Sequence, residues 1–336
     1  MYNLAVIGAT GLVGRTMINK LLASDIFIGS RILAAASSGS KGKVLEISGR
    51  SFEVITVDEA LAMKPHIALF SAGAGVSGQA AGQFADQGCF VIDNSSFWRM
   101  YPDVPLVVPE INAHTISPET RIIANPNCST IQMVLVLSGL HRRYKIRRIV
   151  VSTYQSVTGS GQKGIDQLNH EETGLPVAEF AYPHQIFRNL IPHGGNFTAS
   201  GYTSEEIKLV DETRKILGDS SIMVTATVVR VPVRGGHSES INVAFENEFE
   251  IQEVVRILEN TPGVVIQDDP SQNLYPMPLF AEGKDEVFVG RIRRDESQPC
   301  SLNLWIVSDN LLKGAATNAV QIAEYLIKRK MAGPAA

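Results

Sequence analysis

The chain has 336 residues, which is long enough for two domains of ordinary size and for a large buried core. Its net charge is −4, and acids and bases are interspersed, which argues against a nucleic acid or an anionic membrane as a partner. We see no signal peptide and no apolar stretch long enough to span a membrane, so we expect a soluble, cytoplasmic protein.

A glycine-rich turn follows the first apolar run of the chain. Residues 4–7 precede a G-x-x-G-x-x-G pattern at Gly8, Gly11 and Gly14, and an amphipathic stretch comes next. This order predicts a strand, a turn and a helix. The glycines let the backbone approach a pyrophosphate, and the start of a helix attracts its phosphates. The pattern is a relative of the dinucleotide fingerprint, and its position predicts a dinucleotide-binding turn.

The residues that follow the next apolar run bear on which dinucleotide is bound. NAD-preferring domains usually place an acid about 20 residues after the glycines, where it holds the ribose 2′-hydroxyl. Residues 33–43 contain Ser37, Ser38, Lys41 and Lys43 but no acid. Because a carboxylate would repel a 2′-phosphate, this composition favours NADP over NAD. The arginine that usually binds the 2′-phosphate is missing, and these serines and lysines could instead form a solvated loop.

Short apolar runs alternate with helical or loop segments through the rest of the first half, which predicts a doubly wound parallel sheet. The runs are residues 54–57, 67–70, 90–92, 106–108 and 122–124. Small or polar residues follow at 71–75, 93–96 and 125–127. Ligands of open α/β sheets bind at the carboxyl ends of the strands, so we expect these three tails to line one crevice.

Cys128 comes directly after the turn at 125–127 and begins an apolar segment with helical spacing. The free N–H groups and the dipole at a helix start favour a thiolate, and such sites typically lower a cysteine pKa. The other cysteines, Cys89 and Cys300, resemble packing residues of strands. The three thiols lack C-x-x-C spacing, which argues against a disulfide framework and against a metal site. On the thiol alone, Cys128 would more often be a small buried hydrophobe than a nucleophile.

The second half is rich in strand patterns. Strand-like segments lie at residues 148–153, 222–229, 239–245, 287–289 and 301–307, and helical patterns lie at 164–170, 204–217 and 251–260. We expect a mixed sheet with helices on one face. Residues 310–330 form one long helical pattern that could pack back on the first domain.

Several ordered motifs carry a resemblance that spans nearly the whole chain. They are GATGLVG at 8–14, SAGAGVS at 71–77, DNSSFWR at 93–99, VPEIN at 108–112, NPNCST at 125–130, TYQSVTGSGQKG at 153–164, TSEEIKLVDETRKIL at 203–217, RVPVRGGHSES at 230–240 and DNLLKGAATNAVQIAE at 309–324. This set resembles the aspartate-β-semialdehyde dehydrogenases, which are relatives of glyceraldehyde-3-phosphate dehydrogenase. The resemblance implies a Rossmann-type doubly wound parallel sheet plus an α+β catalytic and dimerisation domain. The first domain would comprise residues 1–127, completed by a C-terminal helix at 310–330, and the second residues 128–309.

The resemblance also implies an activity. It is the NADPH-dependent reductive dephosphorylation of L-aspartyl-4-phosphate to L-aspartate-4-semialdehyde, in the biosynthesis of lysine, threonine, methionine and, in bacteria, diaminopimelate. Cys128 matches the nucleophile, which forms a thioester with release of inorganic phosphate. His237 matches the acid/base, and Gln155 matches a residue that orients the acyl group. The resemblance further implies a homodimer or a dimer of dimers.

Binding residues carry over in the same way. Arg230 matches an arginine for the substrate carboxylate, and its planar fork suits bidentate binding. The other substrate-binding matches are Arg99 and Lys208 for the phosphate, Glu205 for the amine, and Asn127. The cofactor matches are Gly8, Thr10, Gly11, Leu12, Val13, Ser37, Ser38, Thr158, Gly159 and Asn310. From sequence alone, Glu205 and Lys208 would look the same as an ordinary surface ion pair.

Three alternatives remain beside this assignment. An N-acetyl-gamma-glutamyl-phosphate reductase shares the glycine turn and the cysteine, but it resembles NPGC at the thiol, where this chain has Asn127. A glyceraldehyde-3-phosphate dehydrogenase would typically read SCTT there. A non-catalytic NADP-binding regulator could use the same fold. The joint presence of Cys128, Gln155, Arg230 and His237 argues against the regulator.

Overall fold

The structure is a computed structural model that describes residues 2–333. These residues form two compact units: the first comprises residues 2–126 and 315–333, and the second comprises Asn127–Gly314. From the sequence we placed the domain boundary after residue 127 and the start of the returning segment at residue 310. In the described part of the chain, no helix combines the length and the apolar character that crossing a membrane requires.

The helices and strands follow one another in chain order. Those before residue 127 are β1 (Asn3–Ile7), α1 (Leu12–Ala23), β2 (Arg31–Ala36), β3 (Val44–Ile47), β4 (Arg50–Thr56), α2 (Val57–Ala62), β5 (Ile67–Phe70), α3 (Ala74–Asp86), β6 (Phe90–Asp93), α4 (Pro109–Asn112) and β7 (Ile122–Ala124). Those of the second unit are α5 (Cys128–Tyr144), β8 (Ile146–Gln155), α6 (Gln162–Thr173), α7 (Ser204–Leu217), β9 (Met223–Arg230), β10 (His237–Phe245), α8 (Ile251–Glu259), β11 (Val264–Ile266), α9 (Pro278–Ala281), β12 (Val287–Arg294) and β13 (Ser301–Ser308). The chain then returns to the first unit with α10 (Thr317–Lys328).

The first unit is built on a sheet with strand order β3-β4-β2-β1-β5-β6-β7 among the described residues. All its strand pairs are parallel except β3 with β4. Successive side chains of β1 point to opposite faces of the sheet, so both faces of the sheet are covered. Leu4 and Val6 pack in a core with residues of α1 and α10. Ala5 and Ile7 pack in a second core with residues of α2 and α3. The predicted doubly wound class is therefore confirmed.

One predicted strand of this unit does not form. Leu106 makes only an isolated parallel bridge to Ala124, and residues 106–108 extend no further as a strand. The ladder to β7 ends here because its next bond, to Val107 O, would need an N–H from residue 126, which is proline. Asn318 Nδ2 donates to Val107 O instead, over 2.9 Å. The antiparallel pair β3–β4 was not predicted.

The second unit contains a mixed sheet with strand order β11-β12-β13-β10-β8-β9. Strands β8–β9 and β11–β12 run parallel, whereas β10 runs antiparallel to both β8 and β13. Helix α5 contacts four of these strands as well as α7 and α8, and residues 129–140 are all buried. Its first residue is therefore attached to one of the most firmly packed elements of the unit. The predicted strands and helices of this half are all present; most differ from the prediction by one to three residues at an end, and β12 extends five residues beyond its predicted end at 289.

The predicted helical segment at 310–330 is helical over Leu312–Lys328, but its first part is not α-helical. The segment Leu312–Ala316 is a π-helix, and α-helical geometry begins only at Thr317. Gly314 N–H donates to Asp309 O, five residues earlier, which is the π-type bond. The Asp309 carboxylate accepts the N–H groups of Leu311 and Leu312. Single turns of this kind are frequent at functional sites.

Candidate active site

Cys128 is the first residue of α5, as the sequence predicted. Asn127 caps this helix: its Oδ1 accepts the N–H groups of Ser129 at 3.0 Å and Thr130 at 3.3 Å. The first turn contains no acid. Because the helix dipole is positive at this end, the position favours a thiolate.

The π-helical turn places backbone against the cysteine. A Cβ added to Gly314 would lie 2.9 Å from Cys128 Cβ and 3.3 Å from its Cα. Real Cβ atoms essentially never come closer than 3.0 Å to another heavy atom. Only glycine therefore fits beside the thiol-bearing residue.

Strands β8 and β9 deliver two further predicted residues. Gln155 ends β8, and its register partner on the parallel strand β9 is Arg230. Gln155 is fully buried, and its Nε2 donates to Ser129 Oγ at 3.0 Å. Its Oε1 has no hydrogen-bond partner within residues 2–333. Parallel pairing thus places Gln155 beside Arg230, and the packing of α5 on β8 brings its carboxamide to the residue that follows Cys128.

His237 begins β10 and is fully buried. Burial, reinforced by the charge of Arg230, lowers the pKa of His237 to about 3, so the imidazole is neutral near pH 7. Its Nδ1 accepts the Ser156 N–H at 3.1 Å, which assigns the ring proton to Nε2. Nε2 has no hydrogen-bond partner among the described residues. The site therefore holds a buried N–H donor that a ligand oxygen could bind.

Gly159 keeps space open in front of this donor. A Cβ at Gly159 would lie 3.0 Å from His237 Nε2 and 3.1 Å from Arg230 Nη1. The same short 3₁₀ turn carries Thr158. Thr158 Oγ1 donates to Asn310 Oδ1 at 2.9 Å, and Ser156 Oγ donates to the same oxygen at 3.0 Å. Ser156 thus binds both His237 and Asn310. We did not predict this role for Ser156. The available signal was its position inside the TYQSVTG motif.

Helix α7 supplies two charged residues of the predicted substrate site. Glu205 Oε2 accepts Lys208 Nζ at 2.7 Å, and Glu205 Oε1 accepts Asn127 Nδ2 at 2.5 Å. Burial alone would raise the pKa of Glu205, but Lys208, Arg230 and Asn127 together lower it to about 2. Only 8% of Glu205 is exposed. The alternative of an ordinary surface ion pair is therefore wrong.

The other predicted residues belong to the first unit. Gly8 has φ +91°, and a Cβ there would lie 2.5 Å from Ser71 O, so the turn after β1 requires glycine. Helix α1 begins at Leu12, and its N-cap, Gly11, makes no side-chain cap. Its first-turn N–H groups are therefore not capped by the N-cap side chain, which fits a pyrophosphate. The remaining residues of this set are Thr10, which is exposed, Val13, which is partly buried, and Ser37 and Ser38, which are exposed directly after β2.

Arg99 connects two of the polar tails expected from the sequence. Its Nε donates to Asn125 O at 3.0 Å, after β7, and its Nη2 donates to Asn94 O at 2.9 Å, after β6. Asn125 Nδ2 also donates to Asn94 Oδ1 at 2.7 Å. The guanidinium is buried. The predicted residues thus form two groups, one in each unit.

Comparison with known proteins identifies the family. The NAD binding domain model of semialdehyde dehydrogenases matches residues 3–118, and their dimerisation domain model matches residues 137–313. An aspartate-semialdehyde dehydrogenase of Aquifex aeolicus (strain VF5) is 49% identical over 97% of this chain and 98% of its own. The chain belongs to the aspartate-semialdehyde dehydrogenase family. The resemblance inferred from the motifs is confirmed.

Solved structures of the aspartate-semialdehyde dehydrogenase family share this fold. Aspartate semialdehyde dehydrogenase II of Vibrio cholerae, crystallised in complex with ASA, is 43% identical, with a TM-score of 0.92 and 98% of both chains covered. The Candida albicans enzyme, crystallised with NADP, is 25% identical, with a TM-score of 0.79 and 98% of this chain and 99% of its own covered. As a member of this family, the protein is an enzyme that binds a nicotinamide dinucleotide.

Proposed function

We propose that this enzyme catalyses the NADPH-dependent reductive dephosphorylation of L-aspartyl-4-phosphate to L-aspartate-4-semialdehyde. The name of the Aquifex relative and the complex of the Vibrio protein support this substrate. The observation that carries the proposal is the position of Cys128 at the first residue of a buried helix. His237, Gln155 and Arg230 belong to the same unit. The first unit holds the dinucleotide, and the second performs catalysis and dimerisation.

Acyl transfer is the first step. The thiolate of Cys128 attacks the acyl carbon, the bond from that carbon to the phosphate oxygen breaks, and phosphate leaves with the electron pair. Arg230 binds the substrate carboxylate through its planar fork. Glu205, ionised by its surroundings, binds the ammonium group. Lys208 and Arg99 bind the phosphate, and Asn127 completes the substrate site.

Reduction of the thioester follows. When bound, the nicotinamide supplies the hydride that the acyl carbon receives. His237 donates its Nε2–H to the acyl oxygen, and this bond strengthens as negative charge develops there. Gln155 holds the acyl group in line. Collapse of the tetrahedral species breaks the carbon–sulfur bond, which regenerates the thiolate of Cys128 and releases the aldehyde.

NADP is the proposed cofactor, and several features of the first unit favour it. The glycine turn and the uncapped start of α1 fit the pyrophosphate. Ser37 and Ser38 are exposed at the end of β2, where no acid would repel a 2′-phosphate. Thr158, Gly159 and Asn310 would hold the nicotinamide end. Comparing kcat/KM for NADP and NAD tests the preference.

The protein assembles as a homodimer or a dimer of dimers through the second unit. The matched domain model is named for dimerisation. The second unit also exposes large apolar side chains, among them Phe180, Phe197, Leu279 and Phe280. Light scattering should return the mass of two or four chains, and a monomer at micromolar concentration would contradict this assembly.

One assay tests the proposed reaction. We expect phosphate-dependent NADP reduction with L-aspartate-4-semialdehyde and little with N-acetyl-glutamate semialdehyde. Comparable rates with both would remove the substrate assignment, and no turnover with either would favour the non-catalytic regulator. Cys128→Ala should abolish turnover but leave NADP binding nearly unchanged, since the cofactor contacts other residues. Arg230→Lys should lower kcat/KM, because a point charge cannot reproduce the fork.

A further inference from the structure

The N–H of an N-cap residue lies outside its helix and needs a separate acceptor. The usual acceptor is a Glu or Gln three residues later, which completes a capping box. Two helices of this protein use that local solution: α2 with Thr56 and Glu59, and α7 with Thr203 and Glu206. In α5 the corresponding residue is Thr130, which is too short to reach back. The residue before the nucleophile therefore needs an acceptor from elsewhere in the chain.

Helix α7 provides that acceptor. Glu212 Oε2 accepts the Asn127 N–H at 2.7 Å across 85 residues of sequence. Glu212 is almost fully buried, at 1% exposed. In an ordinary capping box, the Glu three residues after the N-cap accepts the N-cap N–H. Here the Glu212 carboxylate accepts it instead.

The same helix also holds the Asn127 side chain. Glu205 lies seven residues before Glu212, hence on the same face of α7, and it accepts Asn127 Nδ2. Asn127 Oδ1 remains available to cap the first turn of α5. One face of α7 thus fixes the main chain and the amide of the residue that precedes Cys128.

We infer that Glu212 is a positioning residue for the nucleophile, because it completes the capping box of α5 from a second helix. By fixing the Asn127 N–H, it sets the path along which the chain enters α5 and so the direction of Cys128 Sγ. The inference rests on the proposed function only where turnover is measured. Alkylation of Cys128 tests it without any substrate.

The test compares Glu212→Ala with Glu212→Gln. The Gln side chain keeps an oxygen that can accept the Asn127 N–H, whereas Ala leaves that N–H without its acceptor. We expect Glu212→Ala to slow the iodoacetamide alkylation of Cys128 and to lower kcat by about 10- to 100-fold, with KM changed less than about 3-fold. Glu212→Gln should restore both rates to within about 3-fold of the wild type.

Glu206→Ala is the matched control. Glu206 is also a buried carboxylate of α7, and it accepts two backbone N–H groups, those of Thr203 and Val228. Its loss should destabilise the protein but leave the alkylation rate of Cys128 unchanged. If Glu206→Ala lowered the alkylation rate of Cys128 as much as Glu212→Ala does, the effect of Glu212 would reflect only the general stability of α7. That result would overturn the inference. Unchanged alkylation in Glu212→Ala would do the same.

A measurement on the wild-type protein covers the case in which Glu212→Ala does not fold. Amide hydrogen exchange should show the Asn127 N–H strongly protected, since its acceptor is buried. Exchange of that amide as fast as in an exposed loop would overturn the inference. Wild-type turnover of the semialdehyde, measured in parallel, reports separately on the proposed reaction.

Discussion

Replacing Gly314 by alanine tests the close packing at the nucleophile. A Gly to Ala change within a helix ordinarily stabilises a protein by about 0.5 to 1 kcal/mol. Here the new Cβ would lie 2.9 Å from Cys128 Cβ and 3.3 Å from its Cα, and the first turn of α5 must shift to make room. Overpacking of this kind costs about 1 to 3 kcal/mol. The net of the two effects is a destabilisation of about 0 to 2.5 kcal/mol, so we expect Gly314→Ala to cancel or reverse the usual gain, with a central value of about 1 kcal/mol.

We also expect Gly314→Ala to lower kcat. A displacement of a few tenths of an ångström to 1 Å at a reacting group costs up to about 10²-fold in rate, so kcat should drop by about 10- to 100-fold. Gly82→Ala is the matched control, because Gly82 lies within helix α3 and its added Cβ would meet no atom within 4 Å. Urea unfolding and steady-state kinetics on both variants measure the effects. Equal stabilisation by the two substitutions, with wild-type kcat for Gly314→Ala, would refute the reasoning.

Three further predictions concern titratable groups. Burial raises the pKa of Glu239 well above its ordinary 4.5, although Gln132 partly opposes the shift. The unfolded chain therefore ionises first, and stability is lost as pH rises above about 4.5, by at most about 1.4 kcal/mol per pH unit. Urea unfolding should accordingly find the Glu239→Gln variant more stable than the wild type at pH 8. A free energy of unfolding that falls more steeply with pH in the variant than in the wild type would contradict this. Burial raises the pKa of the Cys89 thiol to about 12, so mass spectrometry should find maleimide on Cys128 before Cys300 and on Cys89 only after unfolding. The proton resonances of His237 should not titrate between pH 8 and pH 5, given its pKa of about 3, and a midpoint near 6.5 would count against the neutral donor.

Features set by neighbouring residues could be predicted from the sequence. Helix α7 spans the predicted residues 204–217, because Thr203 and Glu206 form its capping box and Gly218 ends it in the left-handed region. The start of α5 at Cys128 was equally predictable, since Asn127 is a good N-cap and the apolar spacing follows at once. The glycine turn at Gly8 belongs to the same class. In each case the determining groups lie within a few positions of one another.

Features set by distant residues could not be predicted. Nothing near Glu205 indicates that it is buried, because its partner Asn127 lies 78 residues earlier. The bond from Asn127 to Glu212 and the position of Ser156 beside His237 depend likewise on packing between elements. The π-helical turn before α10 could not be predicted either, because the apolar spacing of residues 310–330 does not distinguish it from an α-helix. Motif resemblance located the reacting groups but not the contacts that hold them.

In the proposed mechanism, the hydrogen bond from the Ser156 N–H to His237 would protect the thioester from water. Nδ1 carries the ring's only lone pair that can take up a proton, and the backbone N–H of Ser156 already occupies it. In this tautomer the imidazole has no free lone pair with which to remove a proton from a water molecule beside the acyl carbon. An acyl-enzyme waiting for its reductant would persist rather than decay to free aspartate. Hydrolysis without reduction would waste the energy-rich acyl phosphate, and the Ser156 N–H would prevent that loss.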